Sequence, residues 1–482
     1  MNPDEFGFNP TLTFLSEEDK KKLHGGVLRL LEETGMALQH EEALKLLGRA
    51  GADVDDPEHV KIPSKLVEQA LKSAPHNIPV YNREGELAMD LGGRRAYYGT
   101  GSDLMSHVDA KTLERHRTTI EDIRRSALVC DALPNIDFIM SFAHPHEVDP
   151  HRSYLESFRA MLEYSVKPIV NTAENRRDLE KMWEVSAVLR GGEQQLRDQP
   201  YTIQYDEPIS PLKHPFTSVD KLIFCARKGM PVIYSPAPIA GSTAPITIAG
   251  HVLQGLAESF FGLVVHQLAA EGAPFLMGIG PAVLDMSTGQ CSYNAPEYLL
   301  SLATMVEMTK YYDLPNWGYA GTSDSQIPDM QASFEGGLLT FISALTGSNL
   351  NHDVGYIDFG LTGSLEWIVI MDEIISQIRR IQKGVPITEE TMALPVIAEA
   401  GKTGHFLTHP HSLKHLRSVQ WRPKLMNRLG YEKWTKLGGV GLLEKAGRRV
   451  DEILAGYQVK PLDPSAAQEI QALCAAFTGL EK

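Results

Sequence analysis

The 482-residue sequence is poor in cysteine, with four in all, Cys130, Cys225, Cys291 and Cys474. They lie far apart and form no CxxC pair, so neither a disulfide framework nor a cysteine-rich zinc site is expected, and a reducing cytoplasm fits best. Positive charge is also in deficit. Lys and Arg number 46 against 61 Asp and Glu, a formal charge of −15, which opposes a nucleic-acid backbone or an anionic membrane surface. No apolar run is long enough to span a bilayer: the longest, FFGLVVHQLAA at 260–270, contains His266 and reads as a buried helix. The start, MNPDEFGFNPTLTFLSEEDKKK, shows no basic segment followed by an apolar core, so no secretory signal is expected. GxSxG, Walker, HExxH and GxGxxG motifs are all missing, which leaves the corresponding hydrolase, phosphate-cradle, zincin and dinucleotide readings without support.

What is present is a composition of 43% hydrophobic and 22% charged residues, ample for a large core. Ser16 precedes an amphipathic stretch ending at Gly35, and 41–51 reads as a second helix. Short apolar runs separated by glycines follow to about Asp109 and suggest hairpins. From about residue 117, helical stretches alternate with seven strand candidates: IDFIMSFAH, KPIVNTA, PYTIQYD, PVIYSPA, PFLMGIG, LPNWGYAGTS and NLNHDVGYID. Such alternation marks parallel βαβ units. With no glycine fingerprint for an open doubly wound sheet, a closed (β/α)8 barrel of the TIM type is favoured. The expected organisation is an N-terminal helical and hairpin cap (1–115), a barrel (116–385) and a C-terminal helical extension (386–482).

Barrel chemistry sits at the C-terminal ends of strands. Read in order, those positions hold Phe142, His144 and His146; Asn171 and Glu174; Gln204, Tyr205, Asp206 and Glu207; Tyr234 and Ser235; Gly278 and Gly280; Trp317, Tyr319, Ser323 and Asp324; His352, Tyr356, Asp358 and Phe359. Rings recur where branched aliphatics are usual. They are either a cage for a cation or large cavity fillers with a polar tip at the edge. His144-Pro-His146 has the form of two metal ligands, but no third stands at a supportive spacing, and no tightly bound metal is expected. His405–His415 (HFLTHPHSLKH) lacks nearby cysteines and reads as a capped surface helix. Asp324, Asp329, Gln331 and Glu335 cluster at a helix start, where they either orient a substrate or, for Asp329, cap the helix.

The segments YYGTGSD (97–103), KPIVNTAENRRDLE (167–180), AGSTAPITIAGHVLQGLAESFFGLVVHQL (240–268), GTSDSQIPDMQASFEGG (321–337), HDVGYIDFGLTGSLEWIVIMDEI (352–374) and HFLTHPHSLKHLRS (405–418) together resemble the trimethylamine methyltransferase family of corrinoid-dependent enzymes. The resemblance covers nearly the whole chain. It implies a (β/α)8 barrel that passes a methyl group from an amine to the Co(I) of a corrinoid carried by a separate small protein. The founding trimethylamine enzymes carry pyrrolysine, whereas this chain reads through in standard residues. A quaternary ammonium has no lone pair for pyrrolysine to engage and expels a neutral tertiary amine directly. The expected substrate is therefore a small quaternary amine, glycine betaine first, with dimethylglycine as product. On this reading Tyr97, Tyr98, Phe142, Tyr205, Trp317, Tyr319, Tyr356 and Phe359 are candidates for the ammonium cage, and His146, Asn171 and His352 for carboxylate donors. His352, Asp324 and Gln331 are candidate positioning groups, with His352 alternatively a buried, backbone-bonded histidine. A homo-oligomer is compatible with the chain. The rival readings are a metal-dependent barrel methyltransferase or lyase built on His144, His146 and an acid, and a non-catalytic betaine binder.

Overall fold

In the computed structural model, residues 10–479 are described, apart from the side chain of Thr403; the first nine and last three residues lie outside that range. The fold is mixed α/β. Helices begin and end where local chemistry directs. Ser16 accepts from the backbone of Asp19 to open Glu17–Arg29, and Thr119 and Asn175 form capping boxes with Asp122 and Asp178. Gly191, Gly229 and Gly347 close helices in the left-handed conformation that glycine adopts without strain. Asp329 is a helix cap, accepting from the backbone of Ala332.

Parallel pairing runs from strand to strand. Phe275–Met277, Val232–Tyr234, Thr202–Asp206 and Ile169–Asn171 form one sheet, and Trp317–Tyr319, Leu350–His352 and Tyr97–Tyr98 another. Single parallel bridges join them: Met277 to Asn316 on one side, and Gly99 to Phe138 and Ile139 to Ile169 on the other. All seven sequence-predicted segments take part. The eighth, Tyr97–Tyr98, pairs with Leu350 and Asn351, so the stretch assigned to the cap supplies a strand. Its two residues lie between glycine-rich turns and carry no apolar run to betray them.

Side chains alternate along these strands, as the two-residue period requires. Val170, Ile203, Ile233, Leu276, Trp317 and Leu350 cluster on the inner face, while Tyr98, Ile169, Val232, Tyr234 and Met277 pack outward with the helices. The antiparallel hairpin Asn77–Tyr81 and Leu87–Gly92 adds Ile78, Val80, Met89 and Leu91 to the inner cluster. It plugs the end at which the strands begin. At the opposite end, Tyr356–Ile357, Thr362–Gly363, Ser106–Val108 and Arg115–Arg117 make a small sheet. Helix Ile248–Ala269 is apolar on nearly all sides because it is enclosed; it is the one described helix long and apolar enough to cross a membrane, and most of it is buried. After Leu365–Gln382 the chain forms largely exposed helices. Leu442–Gly456 then packs on Leu365–Gln382, and Pro464–Ala476 on Arg176–Arg190.

Candidate functional site

The inner positions at the strand ends carry Tyr205, Trp317, Tyr319 and His352. The rings of Trp317 and His352 stack at 4.0 Å between centroids, Tyr319 lies 4.3 Å from His352, and Tyr205 lies 5.5 Å from Trp317. Two further tyrosines complete the group. Tyr293, from the loop after Phe275–Met277, is 6.5 Å from Tyr319, and Tyr298, from the helix Pro296–Tyr311, is 5.9 Å from it. Tyr356 joins from the small sheet, packing against Phe142 at 5.9 Å and donating its hydroxyl to the carbonyl of Ser102.

Two carboxylates face these rings. Asp353 is buried, and burial first, then the negative charge of Glu207, pushes its pKa well above the ordinary carboxylate range. Glu207 is likewise raised by desolvation, against the Tyr205 hydroxyl that donates to it. Glu207 keeps access to solvent, so the larger perturbation belongs to Asp353. The charge of Asp353 in turn helps burial raise the pKa values of Tyr205, Tyr293, Tyr319 and Tyr356. Oriented rings and uncompensated carboxylates together make a potential suited to a cation.

His352 defines the protonation pattern. Its Nδ1 lies 2.7 Å from the carbonyl oxygen of Gly318, which can only accept, so Nδ1 holds the proton and Nε2 a lone pair. Desolvation lowers its pKa to about 3, keeping it neutral. Nε2 stands 3.3 Å from Asp353 Oδ1. A proton on Asp353 turns that contact from two facing lone pairs into an attraction, in agreement with the raised pKa. His352 is thus the backbone-bonded histidine that supports Trp317.

Backbone strain concentrates at this end. Asp103, Phe142, Asp353, Asp358 and Phe359 all have φ between 56° and 72° without being glycine. Gly101 is required for close approach, because a Cβ there would lie 2.2 Å from Asp353 Oδ1 and 2.5 Å from the Tyr356 hydroxyl.

The remaining expected residues fall elsewhere. Tyr97 is inside but at the hairpin-plugged end, where its hydroxyl accepts from the backbone of Asp90. Tyr98 points outward under the Arg379 guanidinium, 5.4 Å above its ring. Asn171 also points outward, donating to Gln204 at 2.6 Å. His146 Nδ1 lies 2.8 Å from the Thr118 carbonyl. Phe142 supports Tyr356 from behind, fully buried. Phe359 occupies the turn beside Gly360, whose Cβ position faces the Tyr293 ring at 3.6 Å. Asp324 accepts from the Ser292 hydroxyl and from the backbone of Tyr293 at 2.9 Å, so it positions Tyr293. Gln331 is exposed and donates to Glu335, which in turn accepts from Ser323 and from the backbone of Asp324. Asp206 is tied to Lys221 at 3.1 Å, yet burial lifts its pKa to about 6. Asp353, Tyr293 and Tyr298 escaped sequence reasoning. Asp353 follows a recognised strand end by one residue, whereas the two tyrosines belong to a loop and a helix with no strand to index them. Among the described residues no three His, Cys, Asp or Glu side chains are grouped to hold a metal ion.

The strand-end cluster thus sets aromatic rings beside two acidic groups on an α/β scaffold. The model of the trimethylamine methyltransferase (MTTB) family matches residues 6–476, and the chain belongs to this family of enzymes. It is 30% identical to trimethylamine methyltransferase MttB of Desulfitobacterium hafniense, over 96% of this chain and 93% of that one. It is 28% identical to a glycine betaine methyltransferase of the same species, over 97% of each. Among solved structures, the monomethylamine methyltransferase MtmB of Methanosarcina barkeri shares the fold with a TM-score of 0.54 at 12% identity, over 96% of this chain and 89% of that one.

Proposed function

We propose that the enzyme moves a methyl group from a small quaternary ammonium to the Co(I) of a corrinoid presented by a partner protein, at the mouth of a (β/α)8 barrel. The observation that carries this reading is the pairing of Asp353 and Glu207 with the rings of Tyr205, Trp317, Tyr293 and Tyr319. The corrinoid supplies the nucleophile. The residues around the opening fit a docked carrier: Met105, Ile209, Ile246, Met286, Met330 and Phe334, all on segments that follow strand ends, expose their apolar side chains. The rings hold the ammonium so that one N-methyl faces outward, and catalysis is chiefly orientation and exclusion of water. No proton is needed by the departing amine, which leaves neutral. As the positive charge disappears, the attraction of Asp353 and Glu207 for the bound molecule is lost and the neutral amine is released.

Glycine betaine keeps the support of the betaine-demethylating relative. Its carboxylate, however, would meet Asp353 and Glu207, and the donors expected for it are engaged: His146 with Thr118, Asn171 with Gln204 and His352 with Gly318. The site therefore favours a methylated ammonium without a carboxylate. Assaying the purified enzyme with Co(I)-cobalamin against choline, glycine betaine, carnitine and trimethylamine tests this. Turnover should be fastest with choline or another carboxylate-free cation. Preference for glycine betaine would overturn the charge argument, and no turnover with any methylated amine would sink methyl transfer itself.

A further inference from the structure

The end of the molecule remote from the cage holds a cavity of about 770 Å³ lined by Arg94, Arg95, Arg379, Arg380, Arg417 and Arg422. That volume accommodates a nucleotide-sized ligand. In a chain of charge −15, so many guanidinium groups around one space require an account. Asp137 is the one carboxylate among the described lining residues, and Arg379 already pairs with it. Arg95 pairs with Asp90 at 3.1 Å. Arg94 donates to the carbonyl of Leu345, and Arg380 to those of Val419 and Gly384. Those bonds satisfy carbonyls near helix ends but neutralise no charge. Among the described residues, Arg417 and Arg422 have neither an ion pair nor a side-chain hydrogen bond. They line the cavity and are open to solvent, so their charges are available to a ligand. The excess of positive charge is felt nearby: burial, and after it the charge of Arg94, brings Lys310 down to about 7.

We infer that this cavity is a binding site for a small polyanion bearing two or more phosphate groups. Guanidinium forks match phosphate oxygens in pairs, and a diphosphate supplies enough charge to satisfy several forks at once, which a monoanion does not. The site lies between the C-terminal part of the helix Leu365–Gln382 and the segment around Arg417–Arg422, and none of the residues of the cage lines it. The inference is independent of the methyl-transfer reading.

Titration calorimetry on the full-length enzyme with inorganic pyrophosphate, with ADP and with acetate tests it. Pyrophosphate or ADP should bind in a salt-dependent manner while acetate does not, and the double variant Arg417→Gln/Arg422→Gln should weaken binding at least tenfold. Both side chains are exposed, so the variant should keep the parent melting temperature. Tighter binding of ADP than of pyrophosphate identifies a nucleotide as the ligand; equal binding identifies the diphosphate alone. No heat with either ligand, or binding indifferent to the double substitution, overturns the site. Concentration-dependent self-association that the variant abolishes, without pyrophosphate binding, would assign the arginines to a protein contact and overturn it equally.

Discussion

At Asp353, stability and function pull in opposite directions. Its folded-state pKa lies above the value of about 3.9 for an unfolded chain, so the native state binds the extra proton. The favourable contribution is complete in acid and is lost as pH rises through the folded pKa. Asp353→Asn should therefore stabilise the ligand-free enzyme at pH 7, by about 1–3 kcal/mol, while weakening a quaternary ammonium at least tenfold. Urea unfolding and calorimetry with tetramethylammonium check the two halves. In the parent enzyme the same cation should bind more tightly as pH is raised, because it competes with protons for Asp353 and Glu207, and proton release on binding should be measurable. Each ring of the cage should contribute about 0.5–2 kcal/mol, so Trp317→Leu and Tyr319→Leu should each reduce affinity by roughly 2- to 30-fold with the fold intact. Unchanged affinity would make them packing residues. Reading strand ends picks out Tyr205, Trp317, Tyr319, Tyr356 and Glu207, which the structure places at the same end of the strands. Tyr98 and Asn171 were not correctly aimed, because their strands put alternate residues outward and the register that decides which alternates is a property of pairing.

At the scale of single elements, the long helix Ile248–Ala269 shows how packing overrides propensity. Alanine is a better helix former than glycine by about 1 kcal/mol, yet a Cβ at Gly262 would lie 2.3 Å from the Tyr234 ring. That ring cannot retreat, since its hydroxyl is bonded to His214 at 2.8 Å and it is fully buried. Gly262→Ala should destabilise by about 1–3 kcal/mol, measured by chemical denaturation, against the gain that an exposed helix would show. The helix itself was visible in the sequence as an apolar run, as were its neighbours with their caps. The strand Tyr97–Tyr98 was not. Two residues between turns carry too little pattern, and only its pairing with Leu350 and Asn351 reveals it.

For the whole molecule, pH stability is set by opposing buried groups, neutral histidines on one side and raised carboxyls on the other. Burial lowers His214, His266 and His352 to about 3, so the native state excludes protons that the unfolded chain accepts below about 6.5. Their contribution is present above that value and lost as pH falls towards 3. Buried carboxyls oppose this trend: Asp178 and Asp206 are lifted to about 6, and Glu207, Glu258, Asp324, Asp353 and Asp372 are raised as well, so the native state holds protons there that the unfolded chain releases. Replacing one histidine isolates its share: His266→Gln should lessen the loss of unfolding free energy between pH 7 and pH 5 by about 2 kcal/mol relative to the parent, and a pH profile unmoved by the substitution would contradict a buried, neutral His266.

Composition and periodicity by themselves determined the α/β class, seven of the eight parallel segments, most helix boundaries and the end of the molecule where the rings gather. Those are local properties: caps, turns and alternating apolar runs act over a few residues, and each leaves its mark in the chain. The cluster itself was decided by tertiary structure. Asp353, Glu207, Tyr293 and Tyr319 come from segments up to 146 residues apart, and their raised pKa values arise from mutual approach under burial. The arginines of the far cavity are likewise gathered from positions 94 to 422. Charge and desolvation act through space, and a linear sequence carries no coordinate for that distance.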